Sequence, residues 1–408
     1  MKIYDEKRNC SGCAACYSVC PLHCIEMKYD EEGFYYPYVD NLKCIGCDKC
    51  KSVCPYLNPG DERSDYMKVY GVQNRSEEIR LKSTAGGGFS VLADYILAKG
   101  GVVYGAGFND DMHVIHKGVT KVEQLEELRM SKYTQSEIGD CFNEIKNLLK
   151  SNTKVLFVGL PCQVEGLSIF LKGMNTIDLL TIDLKCYGVP SPELYDRWIE
   201  FLTNKYGSSV KHVYFRDKKY GYAGVNVKVV LSNGKVLEDN LDVKSYGKTM
   251  FSKLGLRPSC YGCVFRKRKK LADFTIGDTW EIGKYASYMD DNKGTTQLEI
   301  HTDKGIEVFK ELINNVICIH MNEMSGKEIE ECLKKENRVY DVNINRRVAF
   351  FDDMHKLDYG SLMKKHFPVS KKEFLNNVGK PLIHKFPYSE FVFRILRKAK
   401  IKSARSHK

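Results

Sequence analysis

Eight cysteines near the start of the chain repeat one spacing twice, and this repeat constrains the fold more than any other feature. Each copy reads C-x2-C-x2-C-x3-C-P. The short gaps let one loop direct three thiolates at the same cluster, while the fourth thiolate crosses to the other cluster. The spacing therefore predicts two [4Fe-4S] clusters. The first cysteine set is Cys10, Cys13, Cys16 and Cys54, and the second cysteine set is Cys44, Cys47, Cys50 and Cys20.

Other uses of cysteine fit this spacing less well. A zinc ribbon uses two C-x2-C pairs and would leave four of the eight cysteines without a role. A disulfide framework is typical of small secreted domains, whereas this chain has 408 residues and 16 cysteines, and its first ten residues lack the apolar segment of a secretory signal. We therefore expect a cytoplasmic protein. Cys24 lies outside the repeat, and we interpret it as a small buried residue.

The positive charge of the chain is concentrated at its C-terminus. The net charge is +11, but residues 1–60 hold seven Lys/Arg against eight Asp/Glu, whereas residues 370–408 hold eleven against two. This distribution argues against a nucleic-acid surface and favours one local acidic contact. On a helix, Phe391, Ile395 and Ala399 would share one face, which predicts peripheral contact with an anionic membrane or an acidic redox partner. The alternative is a solvated tail.

Hydrophobic patterning predicts an α+β protein of three parts. Residues 25–40 indicate a hairpin whose aromatic side chains cover the clusters, and residues 225–240 indicate a second hairpin that turns at Asn233-Gly234. Between them, predicted strands alternate with predicted helices. The strands are 69–72, 102–108, 154–160 and 176–184, and the helices are 89–100 and 138–150. The predicted parts are a ferredoxin-like domain over 1–60, an α/β core over 61–345 and a basic helical extension over 346–408.

A glycine-rich stretch in the α/β region precedes a predicted helix. It reads STAGGG over residues 83–88, which we call the glycine loop. Glycines allow close backbone approach, and a helix N-terminus presents free N–H groups to an anion. The loop could therefore hold a phosphate-bearing cofactor, although plain connection is the alternative. Lys132, Arg257 and the basic run 266–270 could hold phosphates of a cofactor or substrate, or form a solvated basic loop.

Four more cysteines occur in motif-like settings, and we call them the core cysteine set. They are Cys162, Cys186, Cys260 and Cys263. They could hold a third [4Fe-4S] cluster, a zinc ion or a dithiol pair. Cys162 follows a predicted strand at the start of a helix, a position that lowers the pKa of a thiol.

Taken together, five motifs resemble a known family. They are S-x-x-GG, GLPCQ-x-x-GL, C-x-GVPSP, RPSC-x-x-C and D-x-T-x-GD-x-W. Over roughly residues 1–345 the chain resembles the beta subunits of coenzyme F420-reducing hydrogenase and F420 dehydrogenases, fused behind a two-cluster ferredoxin domain. The resemblance implies FAD in the α/β core and a third [4Fe-4S] cluster on the core cysteine set. By the same resemblance, the flavin site is lined by Ser83, Gly86, Gly87, Gly88, Ser131, Lys132, Tyr133, Gln135 and Ser136.

The function implied is that of an iron–sulfur flavoprotein oxidoreductase. It would relay electrons between the ferredoxin-type clusters, the core cluster and FAD, to or from a two-electron organic acceptor such as F420. Its partner would be a ferredoxin or a hydrogenase or dehydrogenase subunit. The alternatives are a non-catalytic electron-transfer subunit of a larger complex, linked to surface polysaccharide biosynthesis, and a redox sensor. The sequence singles out no catalytic residue.

Overall fold

The structure is a computed structural model that describes residues 2–60, 64–224, 226–238, 240–336 and 342–370, with only the backbone described over 332–336. The predicted basic face of the C-terminal tail lies outside the described residues. Within those ranges, no helix is both long and apolar enough to cross a membrane.

The strands form three sheets. In chain order they are β1 (Ile25–Tyr29), β2 (Tyr35–Val39), β3 (Tyr66–Asn74), β4 (Val102–Phe108), β5 (Val114–Val119), β6 (Val155–Gly159), β7 (Leu179–Leu184), β8 (Val210–Asp217), β9 (Asn226–Leu231), β10 (Val236–Glu238), β11 (Phe274–Asp278), β12 (Thr296–Ile300) and β13 (Val316–Ser325). The largest sheet has the order β13-β3-β12-β11-β7-β6-β4-β5.

The helices cover both faces of the largest sheet. They are α1 (Ala15–Val19), α2 (Lys49–Ser52), α3 (Glu77–Leu81), α4 (Gly88–Ala98), α5 (Leu125–Leu128), α6 (Cys141–Lys150), α7 (Pro161–Phe170), α8 (Pro192–Tyr206), α9 (Leu241–Phe251), α10 (Pro258–Tyr261), α11 (Val264–Lys267), α12 (Asp303–Leu312), α13 (Gly326–Glu336), α14 (Ile344–Met354) and α15 (Tyr359–His366).

The centre of the large sheet is parallel. β4, β6, β7 and β11 pair in parallel, and the outer strands pair antiparallel. Every residue of β6 is buried, as expected of a parallel strand covered by helices on both faces. The carboxyl ends of these parallel strands meet at one edge, where open α/β sheets bind their ligands. Two of the core cysteines follow β6 and β7 at this edge.

A second apolar core lies beside the large sheet. It packs the three-stranded sheet β10-β9-β8 against α8, α9, α14 and α15, and is centred on Trp198 and Tyr246, whose rings stack at 5.2 Å. The predicted hairpin is confirmed, because Val236 pairs with Val230 and Gly234 has φ +84°. Helices α14 and α15 were predicted as part of a basic extension, but their apolar faces complete this second core.

The N-terminal module, residues 1–60, shares its core with the rest of the chain. Its hairpin is confirmed as the antiparallel pair of β1 and β2. Ala15 and Val53 belong to the same apolar cluster as Phe157 of β6. We expected the hairpin aromatics to cover the clusters, but the buried Phe34 and Tyr36 pack into the second core. The module is therefore fixed to the α/β core by apolar contacts on two sides.

Candidate functional site

The two copies of the cysteine repeat fold into the same loop. In each copy, the glycine before the second cysteine (Gly12, φ +67°; Gly46, φ +68°) and the residue after it (Ala14, φ +61°; Asp48, φ +55°) are left-handed. Ala14 and Asp48 then cap the short helices α1 and α2. Such turns point successive N–H groups inward and form the concave backbone typical of iron–sulfur sites.

The structure brings together the cysteines of each predicted N-terminal set. The second set lines one cavity in the module. In the first set, Cys16 lies close enough to Cys10, Cys13 and Cys54 for their charges to raise its pKa. Cys20 of the first copy thus lies beside the cysteines of the second copy, and Cys54 of the second copy lies beside those of the first. This is the crossing arrangement expected of a two-cluster ferredoxin.

Cys24 is a fifth thiol at the second set. It is 6% exposed, and it lines the same cavity with its Sγ 3.3 Å from the Sγ of Cys20. Burial agrees with our interpretation of Cys24 as a small buried residue. Its proximity to the second set was not predicted, because the residue lies outside the repeated spacing.

The core cysteine set lines a second cavity at the carboxyl edge of the large sheet. Cys162 lies in the first turn of α7, Cys186 follows β7, Cys260 lies within α10 and Cys263 follows that helix. Burial raises the pKa of Cys186 to about 12 and that of Cys260 to about 11. Thiols of this kind lose their protons when a metal cation binds. The four side chains therefore have the chemistry that thiolate ligation requires. Among the described residues, no three His, Cys, Asp or Glu side chains converge on a single metal-ion position.

The pKa of Cys162 differs from expectation. Its place at a helix N-terminus predicted a lowered pKa, but the pKa is raised well above the ordinary thiol value. Loss of hydration is the main cause, followed by the neighbouring thiols Cys263 and Cys186. The prediction was wrong because burial outweighs the helix terminus at this position.

The core cavity borders the first cysteine set. A Cβ added at Gly166 of α7 would lie 3.0 Å from the Sγ of Cys13, so the module's first loop rests directly on this helix. Gly166 is one helical turn after Cys162 and shares its face. Ser11, from the same loop, also lines the core cavity. The first set and the core set are therefore neighbours along one face of α7.

The basic groups predicted to hold phosphates are occupied by protein. Arg257 is completely buried beneath the N-terminal module. In the basic run, Arg268 pairs with Glu165 at 2.8 Å and Lys270 with Asp183 at 3.2 Å. These side chains stabilise the core and the module interface and are not free to hold a phosphate.

Packing against neighbouring strands accounts for some of the glycines in the glycine loop. A Cβ at Gly86 would lie 2.2 Å from the carbonyl oxygen of Val72, so the loop presses on β3. The N–H groups of Gly86 and Gly88 donate to Thr296 Oγ1 at 3.0 and 3.2 Å. Two of the donors expected to face an anion are thus used within the protein. Gly87, with φ +84°, caps α4 in a conformation that favours glycine.

The glycine loop meets the segment 131–133, as the flavin prediction requires. Thr84 Oγ1 accepts from the N–H of Ser131 at 2.9 Å, and the two hydroxyls lie 3.2 Å apart. Lys132 Nζ donates to the carbonyls of Glu127 and Arg129, and burial lowers the pKa of Lys132 to about 7. These contacts place two of the three predicted flavin-binding segments side by side.

The third predicted segment faces the N-terminal module instead. Gln135 Nε2 donates to the carbonyl of Ser11 at 2.9 Å, and its Oε1 accepts from Arg257 at 3.0 Å. Ser136 Oγ lies 2.8 Å from His116 Nδ1 and accepts from Gln163 at 3.1 Å. Gln135 therefore contributes to the interface near the first cysteine set, whereas Ser136 is bound within the α/β core.

One polar group near Tyr133 was missed by sequence reasoning. Arg216 of β8 pairs with Asp278 at 3.0 Å and donates to the hydroxyl of Tyr133 at 3.4 Å. Its guanidinium lies 5.2 Å from the ring of Trp280, which stacks on Tyr222 at 4.6 Å. No local spacing pointed to Arg216, because it meets the D-x-T-x-GD-x-W motif only through the fold.

Two separate parts of the chain match known protein families. Residues 152–325 match the family described as the C terminus of the coenzyme F420 hydrogenase/dehydrogenase beta subunit, and residues 9–58 match a 4Fe-4S dicluster domain. A chain in the F420-reducing [NiFe] hydrogenase complex from Methanosarcina barkeri, from a xenon-derivatised structure, is similar at 19% identity with a TM-score of 0.43. The similarity covers 68% of this chain and 90% of that chain. A comparison with curated proteins gives no match.

Proposed function

We propose that this chain is an iron–sulfur flavoprotein oxidoreductase, because residues 152–325 match the C terminus of the coenzyme F420 hydrogenase/dehydrogenase beta subunit and residues 9–58 match a 4Fe-4S dicluster domain. Electrons pass singly through the two N-terminal clusters and a third cluster on the core cysteine set. They are exchanged in pairs with an organic acceptor in the α/β core. The acceptor is F420 or another two-electron carrier.

The observation that carries this proposal is the position of the core cysteine set. Four thiols from three separate segments line one cavity, and that cavity borders the first cysteine set along one face of α7. A third cluster there would continue the path from the module into the α/β core. Zinc at the same thiols would fill the cavity but could not carry electrons, because zinc has no redox chemistry.

The flavin part of the proposal is supported by the meeting of the glycine loop with residues 131–133 at the carboxyl edge of the sheet. FAD, when bound, would supply the exchange between single electrons and electron pairs. Ser83, Lys132 and Tyr133 would contact it, together with Ser131 and the three glycines of the loop. Gln135 would orient the neighbouring module loop, since its amide is already bound there, and Ser136 would hold His116.

Electrons would enter at the second cysteine set. Cys47 is exposed, and Leu42 and Ile45 beside it are 99% and 70% exposed. Apolar side chains around an accessible metal ligand suit brief docking of a one-electron carrier protein. The same surface would serve the alternative function of a non-catalytic electron-transfer subunit, so the two functions differ only in whether the core reduces an organic acceptor.

The decisive experiment measures iron, zinc and flavin in anaerobically purified chains. We expect about twelve irons for the native chain and about eight for Cys260→Ser, because each cubane contributes four. Heat-released flavin should be about one per chain in the native preparation. Cys318→Ser is the matched control, since Cys318 lies on β13 outside both cysteine cavities.

The outcomes separate the functions. About eight irons in the native chain with one zinc would reject the third cluster. Iron without flavin would reject the flavoprotein oxidoreductase and favour the alternative function of a non-catalytic electron-transfer subunit. An iron content near four would reject the two-cluster module itself.

A further inference from the structure

Arg257 joins the α/β core to the loop of the first cysteine set. The residue precedes α10 and is 0% exposed. Its Nε donates to the carbonyl of Cys10 at 2.9 Å, and its Nη2 donates to the carbonyl of Tyr35 at 3.0 Å. The ring of Tyr36 lies 4.1 Å from the guanidinium carbon. The charge is thus held rigidly inside the protein.

None of the hydrogen-bond partners of this guanidinium is a carboxylate. They are two carbonyl oxygens, the amide oxygen of Gln135 and the Sγ of Cys10 at 3.7 Å. Two nearby carboxylates are engaged elsewhere, Asp30 with Lys7 at 2.7 Å and Glu32 with Arg347 at 2.5 Å. A charge taken out of water is costly without a counter-charge. The ligand sulfur of Cys10 is therefore the place where the compensating negative charge is expected.

Arg257 also lines the core cavity. It stands three residues before Cys260, which belongs to the core cysteine set. The guanidinium is therefore placed between the first set and the core set.

The second cysteine set has a different electrostatic setting. Lys49 lines its cavity, but this lysine is exposed, so water screens its charge. A buried cation acts on a neighbouring cluster much more strongly than an exposed one. The two N-terminal clusters should therefore differ in reduction potential although their ligands have identical spacing.

We propose that Arg257 is the counter-cation of the cluster held by the first cysteine set, and that its charge and its hydrogen bond to Cys10 raise the reduction potential of that cluster. The proposal rests on the proposed function, because it requires the two N-terminal clusters. Reduction adds one negative charge to a cluster, and a buried cation stabilises the reduced form. Electrons arriving at the exposed second set are thereby drawn inward to the first set, beside the core cavity.

The test is potentiometry followed by electron paramagnetic resonance on the full-length holoprotein. Arg257→Gln removes the charge and keeps hydrogen-bonding groups, whereas Arg257→Lys keeps the charge. We expect the midpoint potential of the first-set cluster to become more negative in the Gln variant and to stay near the native value in the Lys variant. The second-set potential should not move. Cys47→Ser, which perturbs the second set alone, assigns the two signals.

Arg80→Gln is the matched control, since Arg80 is another buried arginine but pairs with Asp291 and contacts no cysteine. It should leave both potentials unchanged. An unshifted first-set potential in Arg257→Gln, or an equal shift in the Gln and Lys variants, would overturn the proposal.

A measurement on the native chain covers the case in which the Gln variant assembles no first cluster. With arginine labelled by nitrogen-15, pulsed resonance of the reduced first-set cluster should detect a guanidinium nitrogen. If no guanidinium nitrogen is detected, the assignment of Arg257 is overturned while the proposed function stands. A native chain without any reducible cluster would reject the proposed function as well.

Discussion

At the scale of single residues, burial controls the protonation of His116. The residue is 7% exposed, and it ends a row of hydrogen bonds that runs from Gln163 through Ser136. Gln163 donates to Ser136 Oγ, so the Ser136 hydroxyl donates to Nδ1, while Nε2–H donates to the carbonyl of Val158 at 3.1 Å. The neutral ring thus satisfies every group. Loss of hydration lowers the pKa of His116 to about 4.

This pKa predicts a stability loss in mild acid. An unfolded histidine titrates near 6.5, so between pH 6.5 and about 4 the unfolded chain binds a proton that the folded chain does not. Stability therefore falls as the pH falls through this window. Between pH 7 and pH 5 the native chain should lose about 2 kcal/mol more than His116→Gln. Anaerobic denaturant unfolding at both pH values measures the difference.

The control for this prediction is the exposed His212. His212→Gln should lose stability on acidification as the native chain does. If His116→Gln also loses as much as the native chain, protonation of His116 is not the cause.

At the scale of elements, the glycine loop is held by the strands below it. The hydroxyl of Thr296 on β12 binds two loop N–H groups, and the chain at Gly86 lies against β3 with no room for a side chain. Lys218 adds hydrogen bonds to the carbonyls of Arg80 and Ala85, both at 2.6 Å. The loop is therefore a rigid connection between β3 and α4, which suits a preorganised cofactor site.

A methyl group at Gly86 should disrupt this connection. The closest atoms to an added Cβ are backbone atoms of Val72 and Thr296, at 2.2 and 2.5 Å, and no side-chain rotation can relieve the contact. Gly86→Ala should cost about 3 kcal/mol of unfolding free energy and lower the flavin content of purified protein. Denaturant unfolding and flavin extraction measure the two effects.

Gly247→Ala is the matched change, because a Cβ there meets only the ring of Phe251 at 3.6 Å, within α9. It should be neutral or stabilise the chain by up to about 1 kcal/mol. If Gly86→Ala and Gly247→Ala have the same unfolding free energy and flavin content, the glycine loop can shift to accommodate a side chain.

At the scale of the whole molecule, the N-terminal module is held to the core by buried polar contacts as well as apolar packing. Arg347 of α14 binds the carboxylate of Glu32 through Nη1 and Nη2, at 2.5 and 2.6 Å. Its Nε donates to the hydroxyl of Tyr261 at 3.0 Å. Arg257 fastens the module through the carbonyls of Cys10 and Tyr35. Electron transfer between the cysteine sets depends on this fixed arrangement.

Removing the Arg347 charge should loosen the module. Arg347→Gln leaves the carboxylate of Glu32 without its partner, and breaking a buried ion pair costs about 3 kcal/mol. We expect a lower unfolding midpoint and faster limited proteolysis between the module and the core. Lys99→Gln, which breaks the solvent-exposed pair with Glu311, should have little effect. Equal protease resistance of the native chain and Arg347→Gln would contradict this account of the interface.

The sequence alone determined the features that depend on neighbouring residues. The repeated cysteine spacing predicted both N-terminal sets, and a 4Fe-4S dicluster domain matches there. The apolar run over 102–108 became β4, and Asn233-Gly234 marked the turn between β9 and β10. Spacing within a loop, alternation along a strand and turn chemistry are local properties, so they can be read without knowing the fold.

Only the tertiary structure decided which distant groups meet and how deeply they are buried. The raised pKa of Cys162, the contact of Gln135 with the module and the position of Arg216 beside Tyr133 all arise from packing between remote segments. Arg257 illustrates the difference most clearly. In the sequence it was one basic residue among many that could bind phosphate. The fold instead buries it against Cys10, because residues 247 positions apart meet only when the module packs on the core.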